Sequence, residues 1–124
     1  MLEVGLKYTS SVVVEKSNCA SAVGSGGLDV FATPSMVALM ENAAMNAVAP
    51  YLPEGSTTVG SEINVAHNRP SGVGAVVTAT AELVAVEGRR LQFKVVAEDS
   101  GGAIGEGTHV RYIVDAERFL SKVK

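Results

Sequence analysis

The sequence predicts an α+β domain in which one long helix is wrapped by an antiparallel five-stranded sheet, in the order β-α-β-β-β-β. Three observations carry that expectation. Residues 31–50, FATPSMVALMENAAMNAVAP, have helical apolar spacing; the runs that follow alternate with the period of a strand; and turns bearing Gly or Pro separate those runs.

In the helical stretch, apolar residues recur at 36, 37, 39, 40, 43, 44, 47 and 48. Thr33 suits the N-cap, worth about 1 kcal/mol, and Pro34 suits the first helical position, where a missing N–H costs nothing. Pro50 and Pro53 stop the helix. A helix apolar over so much of its circumference is expected to be buried on most sides. Its one charge, Glu41, falls on an apolar stripe with Val37, Ala44 and Val48. A buried carboxylate must be paired, hydrogen-bonded or protonated, which marks Glu41 as either a stripe-edge residue reaching water or a functional group.

The remaining elements follow in chain order. Residues 4–15 read as a first strand, with Leu6, Tyr8, Val12 and Val14 in step. The Ser- and Gly-rich run KSNCASAVGSGGLDV reads as a loop. In TTVGSEINVAHNR, Val59, Ile63, Val65 and His67 share a face; Pro70-Ser71-Gly72 then breaks the strand. Ala75, Val77, Ala79, Ala81, Leu83 and Ala85 make a small apolar face, and Glu87-Gly88 turns the chain into a strand that alternates Leu91, Phe93, Val95 and Ala97 with polar residues. AIGEGTHVRYIV is the last strand. There His109 shares a face with Gly107 and Arg111 and is expected to be exposed. DAERFLSKVK reads as a short helical or frayed tail. Three hairpin-type connections in succession imply an antiparallel meander with the helix on one face.

Length and charge bound the function. The 124 residues make one domain, 1–124, and a net charge of −3 argues against a nucleic-acid surface. No uncharged run is long and apolar enough to span a membrane, and MLEVGLKYTSS lacks the basic start and apolar core of a signal peptide, so a cytoplasmic protein is expected. Cys19 is alone and cannot form an internal disulfide.

Thr33, Glu41 and His67 stand where apolar or structural residues are expected. A hydroxyl, a carboxylate and an imidazole form a hydrolytic set, although spacing alone does not bring them together. Each also has a plain structural reading: a cap, a stripe edge and a hydrogen-bonded core histidine. No metal-ligand cluster, phosphate loop, dinucleotide fingerprint or G-x-S-x-G elbow is present.

The runs VFATPSMVALMENAA, TTVGSEINVAHNRPSG, VTATAELVAVEGRRLQFKVVAED and IGEGTHVRYIVDAERF resemble, in the same order, the fluoroacetyl-CoA thioesterase-like family of hotdog proteins. The most specific pieces are F-A-T-x-x-M-V-x-L-M-E, the V-x-H strand end and V-E-G-R-R-L. The resemblance implies a hotdog fold, a homodimer or larger assembly with sites at the subunit interface, and hydrolysis of a short or small acyl-CoA to the acid and CoA. No cofactor or metal is implied, because coenzyme A is part of the substrate. It also implies a catalytic set of Thr33, Glu41 and His67, with Glu41 as nucleophile or base, His67 activating water and protonating the thiolate, and Thr33 orienting Glu41 or the carbonyl. Gly60 matches a glycine beside the bound thioester. Phe31, at the head of the F-A-T motif, and Arg69, after the His67 strand end, are further candidate substrate contacts; Arg89, Arg90 and Arg111 are other candidate ligands for CoA phosphates.

Two departures bear on specificity. Gly24 and Gly27 stand where the fluoroacetyl-specific enzyme has lid phenylalanines, and Pro34 replaces a glycine after the threonine. A glycine-rich loop cannot form an aromatic gate, so a broader or different short acyl group is expected. A hotdog hydratase is disfavoured because its Asp-His pair is missing. The alternative of another class is a non-catalytic acyl-CoA binding or sensing domain, which would have no need of Thr33, Glu41 and His67 together.

Overall fold

The computed structural model describes residues 2–123. Strand β1 (Lys7–Val13) leads through a 3-10 turn and a one-turn helix, α1 (Ala20–Val23), to the long helix α2 (Thr33–Val48). Strands β2 (Ser56–His67), β3 (Val76–Glu87), β4 (Arg90–Asp99) and β5 (Gly102–Asp115) follow, and α3 (Ala116–Ser121) comes last. The strands form one antiparallel five-stranded sheet in the order β1-β3-β4-β5-β2. No described helix is long and apolar enough to cross a membrane.

The strand order corrects the simple meander. Only β3, β4 and β5 are joined as neighbours; β2 pairs with β5, at the opposite side from β3. The connection from β2 to β3 spans residues 68–75, enough chain to reach roughly 26 Å. It therefore passes across the end of the curled sheet, where Val30 bridges Gly72 and Cys19 bridges Phe31. The expected loop before α2 also contains the helical turns 16–18 and 20–23.

Alternation places the core. Val77, Ala79, Ala81 and Leu83 of β3 and Leu91, Phe93, Val95 and Ala97 of β4 are fully buried. They face Met36, Met40, Ala43, Ala44, Ala47 and Val48 of α2. Alanines on both sides let the helix axis approach the sheet, and the two methionines fill the gaps that remain. Each fully buried large side chain contributes about 1.5–3 kcal/mol relative to exposure.

Bulges break the period-two reading at two places. In β2 the register shifts between Gly60 and Glu62, so Thr58 and Gly60 face the helix and Val59 turns away from Ile63, Val65 and His67. In β3 a shift between Leu83 and Ala85 pairs Ala85 with Gln92 and so removes Ala85 from the apolar face. Each extra residue bends its strand and helps wrap the sheet round α2. The helix is not enclosed on every side. Pro34, Ala38 and Asn42, four residues apart, form an exposed flank beside the half-buried Glu41 and Met45.

Candidate active site

The start of α2 differs from the expected cap. Ala32 is the N-cap residue and no side chain caps the helix. Thr33 instead directs its hydroxyl to the end of β2, where Oγ1 lies 2.8 Å from Nδ1 of His67. Alternation after the bulge points His67 inward opposite Gly105, so the ring stands against the first turn of α2. Its Nε2 is buried without a protein partner. Burial lowers the pKa of His67, opposed by a hydrogen bond with the backbone of Arg69, so the neutral imidazole is favoured. This pair lines a cavity of about 210 Å³ together with Ala20, Ser25, Phe31 and Arg69. The Phe31 ring is buried and also belongs to the core.

Arg69 is already engaged. Its Nη2 lies 2.5 Å from Asp99 Oδ1 and donates to the Gly102 carbonyl at 2.9 Å. Ser71 Oγ and the Gly101 N–H donate to the same carboxylate, and with the guanidinium they hold the Asp99 pKa low. Arg69 thus pins the β2–β3 connection to the β4–β5 turn while its side chain borders the His67 cavity.

Glu41 belongs to a second cluster. Its Oε2 would lie 2.9 Å from a methyl group placed on Gly60, and the same methyl would meet His109 at 3.1 Å and Arg111 Nη1 at 3.4 Å. The carboxylate, ring and guanidinium converge on the space a Cβ would take, so a side chain at position 60 would displace Glu41. Both residues from β5 correct their expected exposure: His109 is 1% and Arg111 6% exposed. Arg111 donates from Nε to Thr58 Oγ1 and from Nη2 to the Thr58 carbonyl, both at 2.8 Å. Its Nη1 lies 3.2 Å from His109 Nε2. A guanidinium can only donate, so Nε2 accepts, and His109 Nδ1 carries the hydrogen given to the Glu62 carbonyl at 2.8 Å. Burial first, then the Arg111 charge, lower the His109 pKa, against the Glu62 carbonyl and the Glu41 carboxylate. Burial also lowers that of Arg111, opposed by Glu41. The cluster lines an open cleft of about 420 Å³ with Ala38, Asn42 and Met45.

Within one chain the two clusters stay apart. Glu41 lies eight residues along α2 from Thr33, about 12 Å of helix rise. Gly60, beside Glu41, and His67 lie seven residues apart on β2, roughly 20 Å. The structure therefore joins Thr33 to His67 and joins Glu41 to Gly60, His109 and Arg111. Sequence reasoning misses His109 as a site residue and offers Arg111 only as a ligand for CoA phosphates, because a polar face on a last strand reads as solvated. The signal that could have found them is H-x-R on one face of a strand, set in register with Gly60 and Ile63 on its neighbour.

One long helix across the hollow of a curled five-stranded sheet, with a hydroxyl–imidazole pair at its start and a carboxylate at its middle, defines a hotdog protein of the thioesterase kind. The fold matches a Thermus thermophilus hypothetical protein described as a thioesterase superfamily member, with TM-score 0.89, 26% identity and coverage of 97% of this chain and 89% of that one. It matches a structure of the fluoroacetyl-CoA thioesterase FlK more closely, with TM-score 0.93, 40% identity and coverage of 99% and 96%. The chain belongs to the fluoroacetyl-CoA-specific thioesterase family, whose model matches residues 14–117. A relative in Streptantibioticus cattleyicolor, a fluoroacetyl-CoA thioesterase, is 48% identical over 96 residues, 77% of this chain and 69% of that protein.

Proposed function

We propose that this protein hydrolyses a small acyl-CoA thioester in a cleft shared by two copies of the chain. The observation that carries the reading is the buried, unpartnered Nε2 of His67, beside a Thr33 hydroxyl that fixes the ring. In the tautomer where Nδ1–H donates to Thr33, Nε2 has a free lone pair and burial keeps the ring unprotonated. That nitrogen takes a proton from water, the water oxygen bonds to the thioester carbonyl carbon, and the imidazolium returns the proton to sulfur as the C–S bond breaks. Products are the free acid and CoA, and no cofactor enters the reaction. Thr33 thus orients His67 and not Glu41. The Glu41 carboxylate, supplied by the second copy, stabilises the imidazolium as it forms.

Two features support the dimer. The outer edge of β2 pairs with no strand, and the helix flank next to it, Ala38, Asn42 and Met45, is open. A second copy on that side would cover both and close the distance between the two clusters. A cytoplasmic location accompanies the reading, since that compartment keeps the buried, unpaired Cys19 reduced.

The acyl group is small but not restricted to fluoroacetyl. Residues 21–29 are all exposed, Leu28 at 70%, and Gly24 ends α1 in the left-handed conformation with φ +82°. No aromatic side chain from this segment closes the His67 cavity.

The test is thiol release from acetyl-, fluoroacetyl-, longer-chain and aryl-CoA. Wild type should turn over the smaller esters, and Glu41→Gln and His67→Ala should each lose about 10²-fold or more while remaining folded. Bound CoA ester with no thiol released would defeat hydrolysis and leave an acyl-CoA sensing domain.

A further inference from the structure

The cavity beside His67 is bordered by two hydrogen-bond donors that the chain itself leaves unused. Ser25 and Arg69 both line this space of about 210 Å³, into which the Thr33–His67 pair also faces. Arg69 donates from Nε to the Ala103 carbonyl and from Nη2 to Asp99 and the Gly102 carbonyl. Among the described residues, its Nη1 has no acceptor, and the Ser25 hydroxyl has no partner. A Cβ on Gly101 would come within 2.5 Å of Nη1, so the bare glycine is what leaves the guanidinium its room.

Both groups are placed by the fold. The Gly24 and Ser25 N–H groups each donate to the Ala20 carbonyl at 3.1 Å, which ties the end of α1 to a residue that also lines the cavity. The Arg69 N–H donates to the Ile104 carbonyl at 3.3 Å, and Asp99 anchors the guanidinium. Arg69 follows His67 by two residues, so their Cα atoms are at most about 7 Å apart. Ala20, Phe31 and Pro70 supply apolar walls for carbon atoms. The volume equals that of roughly seven waters, room for a few carbons and a polar atom but not for a long chain.

Without a ligand these donors bond water, since Ser25 is exposed and the Arg69 side chain is 41% exposed. An acyl chain that enters the cavity displaces that water. A pure hydrocarbon chain leaves the donors unpaired, whereas an oxygen on the chain accepts from them. A site with such donors discriminates against the analogue that lacks the oxygen. Asp99 already balances the guanidinium charge, so a neutral oxygen suits the position better than a second carboxylate. We propose that Ser25 and Arg69 are specificity-determining residues that select a short acyl group bearing a hydroxyl or keto oxygen a few atoms from the thioester. The inference rests on the acyl-CoA hydrolysis reading for its reaction and concerns only which acyl group enters.

The test compares butyryl-CoA with 3-hydroxybutyryl-CoA and acetoacetyl-CoA, which share its chain length and add one oxygen. In wild type, kcat/KM for at least one oxygenated ester should exceed that for butyryl-CoA by about tenfold or more, the worth of a hydrogen bond to a charged donor. Arg69→Ala should bring that ratio close to one. Ser25→Ala, an exposed loop position that leaves the core untouched, should lower it by about threefold or more. Affinity for the same esters is read by calorimetry in a His67→Ala background, where hydrolysis does not intervene, and should show the same ratios. Wild-type ratios within twofold of one, or ratios that neither variant changes, would overturn the assignment while leaving hydrolysis standing. If no protein released thiol from any ester but the binding ratios held, the thioesterase reading would fall and the selection of an oxygenated acyl group would stand.

Discussion

The proposed sharing of the cleft makes a prediction that a one-chain site cannot imitate. Consider two inactive variants, Glu41→Gln and His67→Ala, mixed under conditions where subunits exchange. In one chain the Glu41 cluster and the Thr33–His67 pair are separated by about 12 Å of helix and roughly 20 Å of strand. A glutamate side chain spans neither gap, so in the proposed cleft each site takes its carboxylate and its imidazole from different chains. In a mixed dimer, one cleft then carries both substitutions and the other carries neither. Half of the dimers in an equimolar mixture are mixed, and half of their clefts are intact. About a quarter of wild-type activity should therefore return, from two preparations that are each nearly inactive. The assay is thiol release before and after mixing, with the mixed species confirmed by native mass spectrometry. Mixed dimers without activity would refute the division of the site between chains, and a stable monomer at micromolar concentration in sedimentation would refute it sooner.

Three other outcomes follow from single contacts. Gly60→Ala places a methyl 2.9 Å from Glu41 Oε2 and 3.1 Å from His109, and only the flexible Glu41 can move away. Its kcat should fall about tenfold or more while Tm changes by a few degrees at most. Arg69→Ala removes the contacts to Asp99, Gly102 and Ala103 that pin the β2–β3 connection, so Tm should fall in a thermal melt. Stability should decline in two stages on acidification, measured by urea midpoints. His67 and His109 have folded pKa values below 6.5, so their contribution is complete above that pH and is lost as pH falls through the lowered values. Asp99, held below 3.8 chiefly by the Ser71 hydroxyl, adds stability that is present above that value and lost as pH falls beneath it. A flat profile between pH 7 and 5 would contradict the buried, neutral imidazoles.

Periodicity made the helix, the five strands and most of the core readable, because burial against α2 imposes spacings of 3.6 and 2 that residues 36–48 and 91–97 obey. It failed where the chain departs from a period. Strict alternation puts Val59 and Ala85 on the wrong faces because a bulge inserts one residue and reverses every side chain after it, and nothing in TTVGSE or ELVAV announces the insertion. The β2–β5 pairing was unreadable for another reason. A turn such as Pro70-Ser71-Gly72 ends a strand without saying where the next one docks, and curvature brings distant edges within reach of eight residues.

The site shows the same division. Glu41 and His67 were visible as polar residues in apolar positions, which is a local property. Their separation was invisible, because it depends on how β2 crosses α2. Arg111 was harder still: a charge on a strand is ordinarily solvated, and only the glycine opposite it, the Thr58 oxygens and the His109 lone pair make burial tolerable. Those partners come from β2 and β5, which are 35 residues apart at their nearest ends in the chain but adjacent in the sheet. Arg111 has two further N–H groups beyond its bonds to Thr58 and His109. With Gly60 clearing the space, the Glu41 carboxylate, the His109 ring and Arg111 Nη1 converge beside it, and Glu41 opposes the lowering of the Arg111 pKa by burial. In the proposed dimer, this half-buried carboxylate on the open helix flank is the group that a second chain would complete.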